Sequence, residues 1–315
     1  VWVLEGDIKS CFDRISHAWL LKSIPMDKRV LRQWLAAGYW EKGQLFPTNE
    51  GTPQGGIISP VLANLTLDGM EQAIRSRIRK RRDQVNFIRY ADDFVVTARK
   101  REILEQIVKP TVVDFLRQRG LELSEQKTTL THIETGFNFL GQNVRKYRNK
   151  LVIKPAKDGW KTLVQKTREC IKGLLGQTAE TLIRKLNPIL RGWANYHRYV
   201  CSAKAFWTVD RIIHYQLLRW AKRTHPNKSY GWLKRKYFTT GGRFGFAVRL
   251  GASTGESHVL RLYSIARTVL ERHIKVRGEA NPYDPSYTEY FERRRCFAWR
   301  TLPCKRTGKL VLAGV

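Results

Sequence analysis

The sequence predicts an α+β chain: an antiparallel sheet with packed helices over residues 1–154, an all-helical unit over residues 155–276, and a tail over residues 277–315. Three observations predict it. Strand and helix signals alternate as far as Lys154-Pro155 and then give way to long amphipathic runs. A β-hairpin pattern, Val85 to Ala98, sets two apolar-rich runs around Tyr90-Ala91-Asp92-Asp93. Charge is uneven along the chain: of a net +31 over 315 residues, residues 1–154 hold 26 Lys and Arg against 17 Asp and Glu, and the remainder hold 32 against 10. This length is enough for two or three domains with sizeable cores.

Taken in order, Val1-Trp-Val-Leu-Glu-Gly-Asp7-Ile8 reads as a buried strand ending in an acid. Ser16 suits a helix N-cap before His17 to Ile24. In Glu50-Gly-Thr-Pro-Gln54-Gly-Gly-Ile-Ile-Ser59-Pro60, paired glycines allow close backbone approach, and Ser59-Pro60 is a good helix start. This segment suits a plain loop-to-helix junction or a ligand site with Gln54 at its rim. The basic run Arg75 to Arg82 reads as a solvated helix end or a nucleic-acid contact. The hairpin follows, with two aspartates at its tip. Like charges repel, and folding alone gives no reason to place them on a mostly apolar ribbon. A divalent cation does give one, because Mg²⁺ takes one or two carboxylates and completes its shell with water and phosphate oxygens. A polar turn whose acids need only water is the alternative. If the strand end at Asp7 lies beside the hairpin tip, three carboxylates converge. Two metal ions about 3.5–4 Å apart in such a site can drive an in-line phosphoryl displacement.

Beyond Pro155, Trp160–Leu175, Ala179–Tyr199 and Ala203–Arg223 read as amphipathic helices, broken at Gly176-Gln177-Thr178 and Val200-Cys201-Ser202, with a kink at Pro188. The basic excess here suits a surface that tracks a phosphate backbone. Aromatics are interleaved with it from Trp193 to Phe238. Most are expected in the core and a minority on the surface, stacking on splayed RNA bases.

These segments, in this order and wording ("LEGDIKSCFDRISHAWL", "GTPQGGIISPVLANLTLDGME", "IRYADDFVV"), resemble group II intron reverse transcriptase/maturases. The likeness continues in Leu123-Ser-Glu-Gln-Lys127-Thr128, in Gly136 to Gly141, and in Leu186 to His197, which is similar to the maturase or thumb segment. It covers nearly the whole chain. The resemblance implies a polymerase palm followed by a thumb that also binds intron RNA. It implies Asp7, Asp92 and Asp93 as metal-binding, catalytic carboxylates for two Mg²⁺ ions, with Mn²⁺ as a substitute and the Ile8 carbonyl helping at one ion. Phe12 would lie under the incoming sugar and exclude a 2′-hydroxyl, and Gln54 would touch the nucleotide. Lys127 would supply charge or a proton near the leaving pyrophosphate. Tyr90, Phe139, Leu140 and Gly141 would hold the primer end. The implied partners are intron RNA, a DNA primer or target and deoxynucleoside triphosphates. Three functions stand open: an RNA-directed DNA polymerase with maturase activity, an RNA-binding splicing factor without polymerase activity, and an inert remnant.

Five cysteines without paired spacing argue against a disulfide framework, and no signal peptide or membrane-spanning run is visible, so a cytoplasmic protein with no membrane partner is expected. The histidines read as surface or packing residues. The chain opens on Val1, inside the first catalytic strand, so the family's basic fingers are expected to be missing. That leaves an expectation of RNA binding with poor polymerisation by the chain alone. It also predicts one uncovered sheet face, with Trp2 and Val3 exposed. At the other end, Asn281 to Arg295 is similar to the approach to a nuclease domain, but only Cys296 and Cys304 follow, without a histidine, which does not suit a zinc site.

Overall fold

The structure is a computed structural model that describes residues 1–41, 43–46, 48, 50–52, 56–78, 83–238, 245–250, 258–271, 276–278 and 280–300, and of residues 39–41, 45 and 295–300 the backbone alone. The chain divides into two compact units, Val1–Phe139 with Val144–Leu151, and Leu140–Asn143 with Val152–Val315.

The first unit opens with β1 (Trp2–Gly6), β2 (Ile8–Lys9) and three helices, α1 (Cys11–Arg14), α2 (His17–Ser23) and α3 (Lys28–Ala36). The α2 helix starts where Ser16 accepts a hydrogen bond from the Trp19 amide, and Asp27 caps α3 in the same way through the amides of Arg29 and Val30. A short ladder, β3 (Tyr39–Glu41) with β4 (Gln44–Phe46), leads to α4 (Ser59–Leu67) and α5 (Met70–Arg77). Pro60 sits in the first turn of α4, where its missing N–H costs nothing. The hairpin forms as β5 (Asn86–Tyr90) and β6 (Asp93–Ala98). Next, α6 (Arg101–Ile103) runs through a π-helical turn at Leu104–Val108 into α7 (Lys109–Arg117). Pro110 accounts for the widened turn, since it donates no hydrogen bond and its ring crowds the preceding turn. The remaining strands are β7 (Glu122–Leu123), β8 (Thr129–His132), β9 (Phe137–Phe139), β10 (Gln142–Tyr147) and β11 (Lys150–Pro155), the last three forming a sheet in the order β11-β10-β9.

The main sheet has the order β5-β6-β1-β8, antiparallel throughout. Its two central strands alternate. Leu4, Phe94, Val96 and Ala98 face the large core with Leu62, Leu67, Leu104 and Val112, while Val3 and Val95 face a smaller cluster with Ile133. Phe137, Phe139 and Val144 close that second cluster, so Val3 is fully buried at 0% exposure and Trp2 half-buried. The expected uncovered face is thus corrected: the chain covers it with its own later strands.

The second unit is built on α8 (Lys157–Gly173), α9 (Ala179–His197) and α10 (Ala203–Thr224), followed by α11 (Tyr230–Leu233) and a π-helical turn at Lys234–Phe238. Leu182, Ile183, Leu186 and Leu190 of α9 meet Phe206, Val209, Ile213, Leu217 and Trp220 of α10 in one core. The α9 helix continues through Pro188. Beside the proline, the Asn187 side chain donates to Arg261 O (3.1 Å) and accepts from Tyr263 N (2.7 Å), tying this helix to the segment beyond. That segment holds an addition to the helical expectation, a hairpin of β12 (Ala247–Leu250) with β13 (His258–Arg261), before α12 (Thr288–Arg300). Asp210 is buried on α10 and accepts from Ser264 Oγ and the amides of Ile265 and Ala266, at 2.7, 3.0 and 2.9 Å. Burial pushes its pKa up, and those three donors oppose the shift. His197 is buried against Trp193 and Tyr196, bonds Gln142 through Nδ1, and is pushed down to about 4 by burial, so it is a neutral packing residue. Among the described residues no helix is long and apolar enough to cross a membrane.

Candidate active site

Sheet register brings the carboxylates together. In the β1–β6 ladder Glu5 pairs with Val95 and Gly6 with Phe94. Asp7 follows β1 directly and Asp93 is the first residue of β6, so continuing the register by one step would set the two opposite each other. Gly6 makes this fit possible: a Cβ there would stand 2.1 Å from the Phe94 ring. In the other ladder Tyr90 pairs with Asp93, leaving Ala91-Asp92 as a two-residue turn. Ala91 has φ +53°, a left-handed conformation that alanine adopts at a cost. Arg89 offsets that cost, because its Nη1 donates to Ala91 O (3.0 Å) and to Asn64 Oδ1 of α4 (3.0 Å).

Electrostatics record the convergence. The Asp93 pKa is raised, first by burial and then by the charges of Asp92 and Asp7, with Lys127 opposing. The Cys11 thiol, buried below, is pushed up to about 12 by burial, with Asp92 the next cause and Arg89 partly offsetting it. That thiol stays protonated and is no nucleophile. Lys127 Nζ lies 3.0 Å from Asp7 Oδ2, and this hydrogen bond and charge raise the lysine pKa. The lysine is carried by a turn that is itself tied to Asp7: Ser124 N donates to Asp7 O (2.8 Å), and Thr128 N and Oγ1 donate to Ser124 O (2.9 and 2.6 Å). Beside Asp7 and Lys127 opens a cleft of about 740 Å³, lined also by Lys9, Lys109, Arg117 and Glu122.

Phe12 is half-buried on α1, packed against the large core. Its carbonyl accepts from Thr52 N (2.6 Å), and Gly51 N donates to Ile15 O (2.9 Å) while Gly51 O accepts from His17 Nε2 (2.7 Å). These bonds strap residues 51–52 onto α1. Gln54 lies outside the described residues, as do Arg79 to Arg82 of the basic run and Cys304. The Ile8 side chain is buried, and Ile8 pairs with Leu123. Tyr90 is exposed next to the turn. Phe139 ends β9 in the small cluster. Leu140 and Gly141, both with positive φ (48° and 71°), make the turn into β10. Leucine is strained in that conformation, and two contacts hold it: Tyr196 Oη donates to Leu140 O (2.6 Å) and Ala156 N to Gly141 O (2.9 Å). Sequence reasoning missed Arg89, Asn64 and the Gly51 strap. The only local signal for the strap was a glycine just before Thr-Pro-Gln.

Residues 1–144 match the reverse transcriptase (RNA-dependent DNA polymerase) family, and residues 160–238 match the group II intron maturase-specific domain. The two matched regions, in this order, support the resemblance to group II intron reverse transcriptase/maturases. Group II intron-encoded protein LtrA of Lactococcus lactis subsp. cremoris is 27% identical, the match covering 51% of this chain and 38% of that protein. Protein YkfC of Escherichia coli (strain K12) is 29% identical over 47% of this chain and 48% of its own length. The chain therefore spans less than half the length of these relatives. Apo telomerase from Candida Tropicalis has a TM-score of 0.44 at 13% identity, covering 77% of this chain and 44% of that one, a likeness too slight to decide anything further.

No three His, Cys, Asp or Glu side chains among the described residues are grouped closely enough to hold a metal ion by themselves. Such a cage is not what Mg²⁺ needs, since it binds through one or two carboxylates and takes its other oxygens from water and phosphates. Hard carboxylate oxygens, with the charges of Asp92 and Asp7 raising the proton affinity of Asp93, form a fitting donor set.

If Phe12 excludes the 2′-hydroxyl, Phe12→Ala shifts the ratio of deoxyribonucleotide to ribonucleotide incorporation towards ribonucleotides by about tenfold or more, since a contact worth 1.4 kcal/mol is a factor of ten. The measurement is competitive incorporation on one template, and an unchanged ratio leaves Phe12 a core residue only.

Proposed function

We propose that this chain carries the nucleotidyl-transfer site of an RNA-directed DNA polymerase and the RNA-binding maturase domain of a group II intron-encoded protein. The observation that carries the reading is that Asp7 and Asp92 lie near enough to Asp93 for their charges to raise its pKa, where the β1–β6 register ends at Gly6 with Phe94. Asp7, Asp92 and Asp93 would hold two Mg²⁺ ions, which activate a primer hydroxyl and neutralise the leaving phosphate. The chain's own residues do the rest. Phe12 and the strap that leads to Gln54 shape the nucleotide site, Lys127 lends positive charge, and the cleft beside Asp7, where Lys9, Lys109, Arg117 and Lys127 stand with Glu122 and Glu125, gives phosphates room. Tyr90 and the Phe139-Leu140-Gly141 turn are the candidate primer contacts. Intron RNA is the partner of the second unit, and deoxynucleoside triphosphates are the substrates.

The test has two arms. Primer extension on an RNA template with Mg²⁺ examines the polymerase. RNA affinity across a salt series examines the binding unit, and a steep negative slope is expected, about 0.7–0.9 in log–log terms for each phosphate neutralised. Binding without extension, in a form of the protein as long as its relatives, favours a splicing factor. A salt-independent affinity, or none at low salt, removes the RNA-binding half of the reading.

A further inference from the structure

We propose that the face of the second unit formed by α8 and α10 is a contact surface for unpaired RNA, with phosphates in a cationic groove and bases stacked on an adjoining aromatic row. The proposal rests on the RNA-binding half of the function above and assigns it to named residues and to one class of RNA structure.

Two observations carry it. The first is a groove between α8 and α10, edged by Arg168 and Lys172 on one helix and by Arg219 and Arg223 on the other. Each pair is spaced i, i+4, so both cations of a pair point the same way. The floor is apolar, formed by Ile171, Leu175 and Trp220, and among the described residues no carboxylate lines the groove. Four cations facing one another without an acid repel, which costs stability unless an anion sits among them. The second observation is the row Trp207, Arg211, Tyr215, Arg219 along α10, also spaced by four and therefore one ridge of the helix. Trp207 and Tyr215 are 40% and 55% exposed, on a helix whose other aromatics Phe206 and Trp220 are buried. The Arg211 guanidinium lies 5.1 Å from the Trp207 ring centre.

Arg219 belongs to both features and joins them. Successive members of the row are about 6 Å apart along the helix axis, an alternation of flat ring and cation that suits a strand with exposed bases and a regular charge. A double helix hides its base faces and offers the rings nothing, so the pattern selects single strands, loops or bulges.

Fluorescence anisotropy with the full chain tests this, using two labelled RNAs of equal length, one unstructured and one a closed duplex hairpin. Trp207→Ala and Tyr215→Ala are each expected to weaken the unstructured RNA by about 5- to 150-fold, the range for loss of one stacked base, while the duplex changes far less. Tyr215→Phe keeps the ring and is expected to retain affinity. Arg219→Gln with Arg223→Gln lowers both affinities and makes the salt slope shallower by about 0.7 per arginine. All four side chains lie at the surface, and circular dichroism checks that each variant is folded. If wild type binds RNA while the aromatic variants bind both RNAs as tightly as it does, or lose both equally, this surface assignment is overturned. If wild type binds neither RNA at low salt, the broader RNA-binding reading fails instead.

Discussion

Asp92→Asn is expected to lower primer extension by about 10³-fold or more while leaving RNA affinity almost unchanged. The two effects separate because they depend on different numbers of charges. Metal-ion stabilisation of a phosphoryl-transfer transition state is worth several kcal/mol, and each 1.36 kcal/mol is tenfold in rate. Little in the protein substitutes for that, since phosphoryl transfer is almost wholly positioning and electrostatics. RNA affinity instead sums over many lysines and arginines, and one carboxylate at a hairpin tip alters it little. Loss of folding would not explain the lost rate. Asp92 is one of the charges that raise the Asp93 pKa and disfavour ionisation there, so removing it relieves repulsion, and thermal stability without Mg²⁺ is expected to be equal or higher. The assay compares single-turnover extension by the wild type and the variant in a form of the protein that extends primers. Near-normal extension by Asp92→Asn would remove this residue from the metal site.

The carboxylate-bearing elements are legible in the sequence because their signals are local. The apolar run before Asp7, the paired runs around Tyr90-Ala91-Asp92-Asp93, the Ser16 cap and the Ser59-Pro60 helix start each draw on fewer than about fifteen neighbouring residues, and each appears in the structure near its expected place. Contacts between distant residues leave no such trace. Val3 is expected to be exposed because the fingers are expected to be missing, yet it is buried by Ile133, Phe137, Phe139 and Val144, which lie more than a hundred residues further on. The Arg89 bonds to Asn64 and Ala91 combine a strained turn with a helix from another segment, and neither partner has a pattern that announces the pair. The β12–β13 ladder escapes notice because each strand has four residues, too short for an alternation to stand out. Among the aromatics of the second unit, helical spacing separates buried Phe206 and Trp220 from exposed Trp207 and Tyr215 only once the partner helices are known.

Gly51→Ala is expected to destabilise the first unit by about 3–5 kcal/mol, combining backbone strain of about 1–3 kcal/mol with the loss of hydrogen bonds worth about 0.5–1.5 kcal/mol each. Gly51 has φ +72°, and a Cβ there would stand 2.3 Å from Phe12 O and 2.4 Å from Asp13 C. Both are backbone atoms of α1, so neither swings aside as a flexible side chain does. Relief comes only if residues 51–52 lift away, which breaks Gly51 N to Ile15 O, His17 Nε2 to Gly51 O and Thr52 N to Phe12 O. Gly43 supplies the control, because it has a similar φ of +84° but nothing within 4 Å of its Cβ position. Gly43→Ala should cost only the left-handed penalty, about 1–2 kcal/mol. Urea denaturation of the two variants measures the difference. The same displacement has a kinetic signature, because the strap leads within two residues to Gln54 while its anchor is the carbonyl of Phe12. In a form of the protein that extends primers, and at temperatures where both variants stay folded, Gly51→Ala should raise the KM for deoxynucleotides and Gly43→Ala should not. Equal destabilisation by both substitutions, with unchanged KM in each, would mean that the strap neither holds α1 nor shapes the nucleotide site.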